Sequence, residues 1–185
     1  MLELIGGPML SGKSSLLLQK LSCDYAIGKK VLYINHTFDT RGDLFSTHNP
    51  LFKQNVNIPM IKCSVLPSLN DVMKYDTLGV DEFNFFDHID EIKNYVDIGK
   101  KRVIVAGLVG DYKREKFGHL IDLIPICDQF DFLKAKCIRC APQSIDAPFT
   151  FKTNKNNTLI DIGGADKYIP LCREHYLACY KDMLI

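Results

Sequence analysis

Gly7-Pro-Met-Leu-Ser-Gly12-Lys13-Ser14 is the stretch on which the fold of this chain turns. The octet fits G-x-x-x-x-G-K-[ST] without mismatch, and the pattern has a physical basis. Its glycines let consecutive backbone N–H groups curl around phosphate oxygens. Lys13 reaches the β- and γ-phosphates, and the Ser14 hydroxyl is a ligand for Mg2+. The flanks agree with this reading. Residues 2–5 form an apolar run that predicts a buried strand, and residues 14–26 carry a helical pattern ended by Gly28. Strand, loop and helix in that order aim a helix N-terminus at the bound anion.

Outward from the loop, apolar runs alternate with helical patterns. Strands are expected at 31–35, Met60–Cys63, 78–81 and Arg102–Gly107, and a further alternating run spans 130–136. Short helices are expected at 67–75, with Ser68 as N-cap, at 87–96 and at 118–124, while 36–58 reads as a long loop. The alternation predicts an α/β fold with a mainly parallel sheet. After Cys137 the texture changes to cysteines, the Asn-rich run 152–157 and a Gly163-Gly164 pair. Two units are therefore expected, a phosphate-loop domain over 1–136 and a small metal-organised unit over 137–185.

Composition bounds the function. The 185 residues suit one domain plus a small appendage, and 46% hydrophobic with 24% charged residues excludes a disordered chain. Lys+Arg 23 against Asp+Glu 22 leaves a net charge of +1, which argues against a broad basic face for nucleic acid. The apolar start stops at Gly6, too short for a secretion signal, and no run approaches the ~18 apolar residues of a membrane span. A cytoplasmic protein without membrane partners is expected.

Leu78-Gly-Val-Asp81-Glu82 is an apolar strand ending in two carboxylates. In a phosphate-loop protein an acid here holds the Mg2+, which selects Asp81. Glu82 then faces the γ-phosphate, where a carboxylate can orient or deprotonate a nucleophile. That nucleophile can be water or an alcohol, so these residues alone suit an ATPase as well as a kinase. The seven cysteines form no complete disulfide set. Cys137-Ile-Arg-Cys140 and Cys172-Arg-Glu-His175 each bracket two residues, and Cys137, Cys140, Cys172 and His175 suit a tetrahedral zinc site. Cys23, Cys63, Cys127 and Cys179 lie among apolar residues and are expected in or near the core.

Together these residues resemble the zinc-containing phosphate-loop thymidine kinases, the cellular and large-DNA-virus kind. The likeness runs through "GGPMLSGKSS" (6–15), "DTR" (39–41), "VDEFNFF" (80–86), "VIVAGLVGDYKREKFG" (103–118), the cysteine pairs and "IGGADKY" (162–168). It implies a RecA-like sheet with a zinc unit carrying a substrate-covering lasso. The implied reaction is transfer of the ATP γ-phosphoryl group to the 5′-hydroxyl of thymidine. Glu82 matches the general base, and Lys13, Arg41 and Arg114 match basic groups near the phosphates. The implied ATP side comprises Gly7, Pro8, Met9, Leu10, Ser11, Gly12, Lys13 and Ser14 with Asp39, Thr40, Arg41, Asp81 and Asn84. Met9, Phe85, Leu108, Tyr112 and Phe117 match positions enclosing the nucleoside. Leu159, Ile160, Asp161, Ile162, Gly163 and Tyr168 match the lasso, and Thr150 matches a residue near the thymine methyl.

Two departures stand out. Phe83-Asn84 replaces the usual Gly-Gln, which predicts an altered backbone or ATP side there, and Tyr112 replaces Phe. The resemblance further implies a homotetramer and feedback inhibition by dTTP, with Mg2+ and structural Zn2+ as metals and ATP and thymidine as partners. The rival readings are a RecA-like ATPase with a zinc ribbon acting on nucleic acid, and the same chemistry on another deoxynucleoside.

Overall fold

The structure is a computed structural model that describes residues 1–39, 57–87, 89–153 and 167–183. Strands β1 (Leu2–Gly6), β2 (Val31–His36), β3 (Met60–Cys63), β4 (Thr77–Val80), β5 (Arg102–Gly107) and β6 (Gln129–Phe132) form one sheet in the order β3-β2-β4-β5-β1-β6. Every neighbouring pair is parallel. The four inner strands β2, β4, β5 and β1 are buried almost throughout because both faces are covered, whereas the edge strands β3 and β6 stay half-buried or exposed. Leu2, Leu4, Leu32, Ile34, Val103 and Val105 fill one face, with Phe83, Phe86, Ile92 and Tyr95 packed over them. The alternate residues Ile5, Val31, Tyr33, Ile104 and Ala106 fill the other face, against Leu17, Leu18 and Leu21 of helix α1 (Lys13–Ala26). The period of two along each strand thus sorts side chains between two cores.

The shorter elements depart from their sequence-based limits for identifiable reasons. Helix α2 (Leu69–Val72) starts at the expected cap, where Ser68 and Asp71 form a capping box, but stops before Tyr75. The carbonyls of Met73 and Tyr75 accept instead from Lys101 Nζ, at 3.1 and 2.6 Å. Helix α3 (Asp90–Lys93) passes into a π turn over Asn94–Ile98. The segment Leu120–Ile126 is a 3-10 helix enclosing Pro125, which has no N–H to give an α-helical ladder. The run 130–136 divides because its ends pair differently. Strand β6 joins β1, whereas β7 (Ala135–Lys136) pairs antiparallel with β8 (Asp146–Ala147).

Beyond β8, strands β9 (Phe149–Lys152) and β10 (Tyr168–Leu171) pair antiparallel and helix α4 (Arg173–Met183) follows. They enclose a third core of Ala135, Cys137, Ala147, Phe151, Leu171, Cys172, Tyr176 and Cys179. Cys63 and Cys127 pack on the first core and Cys179 lies in the third, but Cys23 is exposed on α1, which corrects the expectation for that thiol. No described helix is long and apolar enough to cross a membrane.

An ion network ties α1 to the sheet. Arg102 donates to Glu3 and to Asp24, each at 2.7 Å, and Lys20 donates to Glu3 at 2.7 Å and to Asp131 at 3.1 Å. Thr77 Oγ1 donates to the second Asp24 oxygen at 2.6 Å. Glu3 is almost fully buried. Burial pushes its carboxyl up, but hydrogen bonds from Arg102 and Lys20 outweigh that and hold it below the ordinary 4.5. Arg102→Met should therefore cost roughly 3 kcal/mol in urea unfolding at neutral pH, the scale for removing one partner of a buried ion pair. The depressed Glu3 value contributes stability above its ordinary pKa, lost as pH falls through the folded value. The gap between wild type and variant should accordingly shrink on acidification; equal stabilities at neutral pH would refute this role.

Candidate active site and metal centre

The phosphate loop leaves β1 at Gly6 and re-enters regular structure at Lys13. Its curl depends on Gly7, with φ 156° and so close an approach that a Cβ would lie 2.6 Å from the Leu133 carbonyl oxygen. Leu10 (φ 62°) and Gly12 (φ 86°) are left-handed, and such turns make backbone N–H groups converge. Ser11 Oγ and Lys13 Nζ both donate to the Pro8 carbonyl, at 2.9 and 2.7 Å. The ammonium is thus held over the loop at the N-terminus of α1, where partial positive charge accumulates.

Asp81 follows β4 and is 1% exposed. Its Oδ2 accepts from Tyr33 Oη at 2.8 Å and its Oδ1 from the Glu82 N–H at 2.9 Å. Glu82 itself is left-handed (φ 53°) and half-buried, heading the 3-10 turn Phe83–Phe85. A non-glycine residue in that region costs of order 1 kcal/mol or more and persists where surrounding structure holds it. Here the Phe85 N–H donates to the Glu82 carbonyl, and Phe83 is fully buried against Phe86. The bulk that stands where glycine is usual therefore enters the core. Asp39 is buried, with Oδ2 accepting from Asn35 Nδ2 at 2.8 Å. The Asp81 carboxylate and the Ser14 hydroxyl are hard oxygen donors, which fits magnesium.

An aromatic cluster adjoins Glu82. Phe85 meets Phe117 at 5.9 Å, Phe38 at 5.5 Å and His36 at 5.6 Å between ring centroids. Burial pushes the His36 imidazole below its usual value, and its Nδ1 accepts from the Phe38 N–H at 3.1 Å. Asn84 Oδ1 accepts from the Leu108 N–H at 3.0 Å. Its carboxamide therefore engages a residue expected on the nucleoside side, not one of the phosphate loop. Tyr112 is buried, and among the described residues its Oη has no hydrogen-bond partner. Met9 N–H donates to Thr150 Oγ1 at 3.0 Å, a bond from the phosphate loop to β9.

The four expected metal ligands converge. Cys137, Cys140, Cys172 and His175 place their ligand atoms within 4.8 Å of one another. His175 Nδ1 lies 3.6, 3.3 and 3.3 Å from the sulfurs of Cys137, Cys140 and Cys172, and Cys140 Sγ lies 3.9 Å from Cys172 Sγ. Zinc bonded at about 2.3 Å to sulfur and about 2.0–2.1 Å to nitrogen needs ligand separations of this size. Burial raises the Cys137 thiol, but N–H groups of Cys172 and Arg139 and the neighbouring thiols bring it down to about 6. Desolvation and those same sulfurs push Cys140 up to about 12. Three sulfurs and an imidazole gathered at these distances suit a bound dication.

Next to His175, Tyr176 is fully buried and donates from Oη to the Tyr112 carbonyl at 2.6 Å. The Arg114 guanidinium lies 4.6 Å from the Tyr176 ring centroid and 5.6 Å from that of Phe149, so Arg114 stacks on the metal unit. Tyr168 opens β10 opposite Lys152. Thr40, Arg41, Leu159, Ile160, Asp161, Ile162 and Gly163 lie outside the described residues. The sequence reading missed Tyr33, Asn35 and Tyr176. Tyr33 had a signal, since a phenol inside a strand buried on both faces needs a polar partner.

A family profile described as Thymidine kinase matches residues 1–176. The chain is 36% identical over 185 aligned residues to thymidine kinase a of Arabidopsis thaliana, covering 95% of this chain and 74% of that protein. It is 34% identical over 194 aligned residues to a thymidine kinase of Amsacta moorei entomopoxvirus, covering 98% of each. Against the cytosolic thymidine kinase of Bos taurus the identity is 33% over 176 aligned residues, covering 95% of this chain and 71% of the relative.

The cluster geometry predicts one tightly held zinc per chain. Replacing Cys137 and Cys140 together by Ser should abolish zinc in elemental analysis and open the segment around β9 and β10 to proteolysis. A full zinc equivalent retained by that variant would refute the ligand assignment.

Proposed function

This chain belongs to the thymidine kinase family, and on that premise we propose that it transfers the γ-phosphoryl group of ATP to the 5′-hydroxyl of thymidine, giving dTMP and ADP. The observation that favours a nucleoside over water as acceptor is the ring cluster of Phe38, Phe85 and Phe117, whose central member Phe85 stands three residues after Glu82. Aromatic faces beside a carboxylate suit a base bound with its sugar hydroxyl near that carboxylate.

In this proposal the loop from Gly7 to Ser14 binds the phosphates and Lys13 offsets charge on the transferring group, with Arg41 and Arg114 as further cations. Glu82 accepts the 5′-hydroxyl proton as that oxygen attacks the γ-phosphorus and the bond to the ADP oxygen breaks. Asp81 and Ser14 would hold magnesium, which would supply charge neutralisation for the bound triphosphate. Asp39, Thr40 and Asn84 stand at the ATP side, and the Asn84 carboxamide also accepts from the Leu108 N–H. Met9, Phe85, Leu108, Tyr112 and Phe117 enclose the nucleoside. Leu159, Ile160, Asp161, Ile162, Gly163 and Tyr168 cover it, excluding water and so limiting ATP hydrolysis. The proposal takes 1–136 as the kinase unit and 137–185 as the zinc unit. It extends to a cytoplasmic homotetramer inhibited by dTTP.

Incubation with Mg·ATP and a panel of deoxynucleosides should yield labelled monophosphate with thymidine foremost. Monophosphate formed from another deoxynucleoside in preference, or ATP hydrolysis stimulated by DNA alone, would contradict the proposal. Glu82→Gln should lower kcat by roughly 10²–10⁴-fold, the usual loss for a general base, while leaving nucleotide binding in place. Near-normal turnover in that variant would remove Glu82 from the role.

A further inference from the structure

We propose that Tyr33 is a positioning residue for magnesium: its buried hydroxyl fixes the Asp81 carboxylate in the orientation that accepts the metal. The proposal rests on the reading of Asp81 as a magnesium ligand, and extends it inward by one residue.

Tyr33 is the third residue of β2 and is 0% exposed. It belongs to the core between the sheet and α1, packed among Leu17, Leu18, Leu21 and Ile104. For packing alone a Phe would serve, and it would avoid burying a hydroxyl, which is unfavourable unless hydrogen-bonded. The hydroxyl meets Asp81 Oδ2 at 2.8 Å in a fully buried contact. The phenol donates in this contact and the carboxylate oxygen accepts.

The geometry around it is specific. Tyr33 lies opposite Gly79 in the β2–β4 pairing, so both residues address the same face of the sheet. A Cβ at Gly79 would lie 2.4 Å from Leu21 Cδ1, so the glycine lets α1 sit close beside the phenol. Asp81, two residues after Gly79, returns to that face, the one from which α1 presents Lys13 and Ser14 at its N-terminus.

Two donors then fix the carboxylate. Tyr33 Oη takes one lone pair of Oδ2, and the Glu82 N–H takes one of Oδ1. Each oxygen keeps a further lone pair for a cation. A divalent cation bound to Asp81 would meet a carboxylate whose rotation is already restricted. Hydrogen-bonding partners that orient metal ligands in this way typically matter by 10–100-fold in metal affinity.

The test is Tyr33→Phe, which removes the hydroxyl and keeps the ring. Mn2+ binding to the protein–ADP complex, followed by electron paramagnetic resonance, reads the metal site without turnover. A weakening of about 10-fold or more is expected, while ADP binding without metal stays at the wild-type level. In an Asp81→Asn background the same substitution should have no further effect on Mn2+ binding. Unchanged Mn2+ affinity overturns the proposal, and so does an equal loss of metal-free ADP binding, the mark of general disruption. A wild-type protein that binds Mn2+ through Tyr33 and Asp81 yet phosphorylates no thymidine would sink the thymidine assignment alone. An active wild type with a Tyr33→Phe variant of unaltered Mn2+ affinity would sink only this inference.

Discussion

The parallel register of three strand ends governs the site. Gly6 pairs with Gly107, and Val80 with Val105, so β1, β4 and β5 finish along one edge. The phosphate loop, the Asp81-Glu82 pair and Leu108 each begin where a strand stops, and the sheet aligns them before any side chain contributes. Parallel pairing leaves every strand pointing the same way, which is why one edge collects all three. The ion network of Glu3, Arg102, Asp24 and Lys20 matters through this edge, because it seats α1 on the sheet and so sets where Lys13 and Ser14 lie.

A second unit meets that edge at a few named points. Met9 of the phosphate loop donates to Thr150 of β9. Tyr176, beside the ligand His175, holds the Tyr112 carbonyl and underlies Arg114. The Cys137, Cys140, Cys172 and His175 cluster that could hold a metal therefore sits next to the elements β9, β10 and the start of α4, which carry Thr150 and Tyr176.

Patterns local in sequence were legible; those that depend on partner choice were not. Met60–Cys63 and Arg102–Gly107 appear with the limits read from the sequence; the second is an apolar β-branched run, and the first is a short stretch after Pro59. Run 130–136 alternates throughout, yet its halves join different sheets, and alternation carries no information about the neighbour. Lys101 ends α2 from a distance of 28 residues in sequence, through carbonyls that no helix rule can assign. The metal ligands were readable because their spacing is local. Tyr33 was not assigned because its meaning lies in Asp81, 48 residues away. Phe83 shows the converse, a change that looks disruptive in sequence and is absorbed by the core.

If one edge holds ATP and nucleoside together, the phosphoryl group moves in a single in-line displacement from the ADP oxygen to the 5′-oxygen. The configuration at phosphorus reports this directly. With ATP made chiral at the γ-phosphorus by isotopic oxygen and sulfur, the thymidine monophosphate product should show inversion. Retention would require two displacements through a phosphorylated side chain, and would contradict direct transfer at this site.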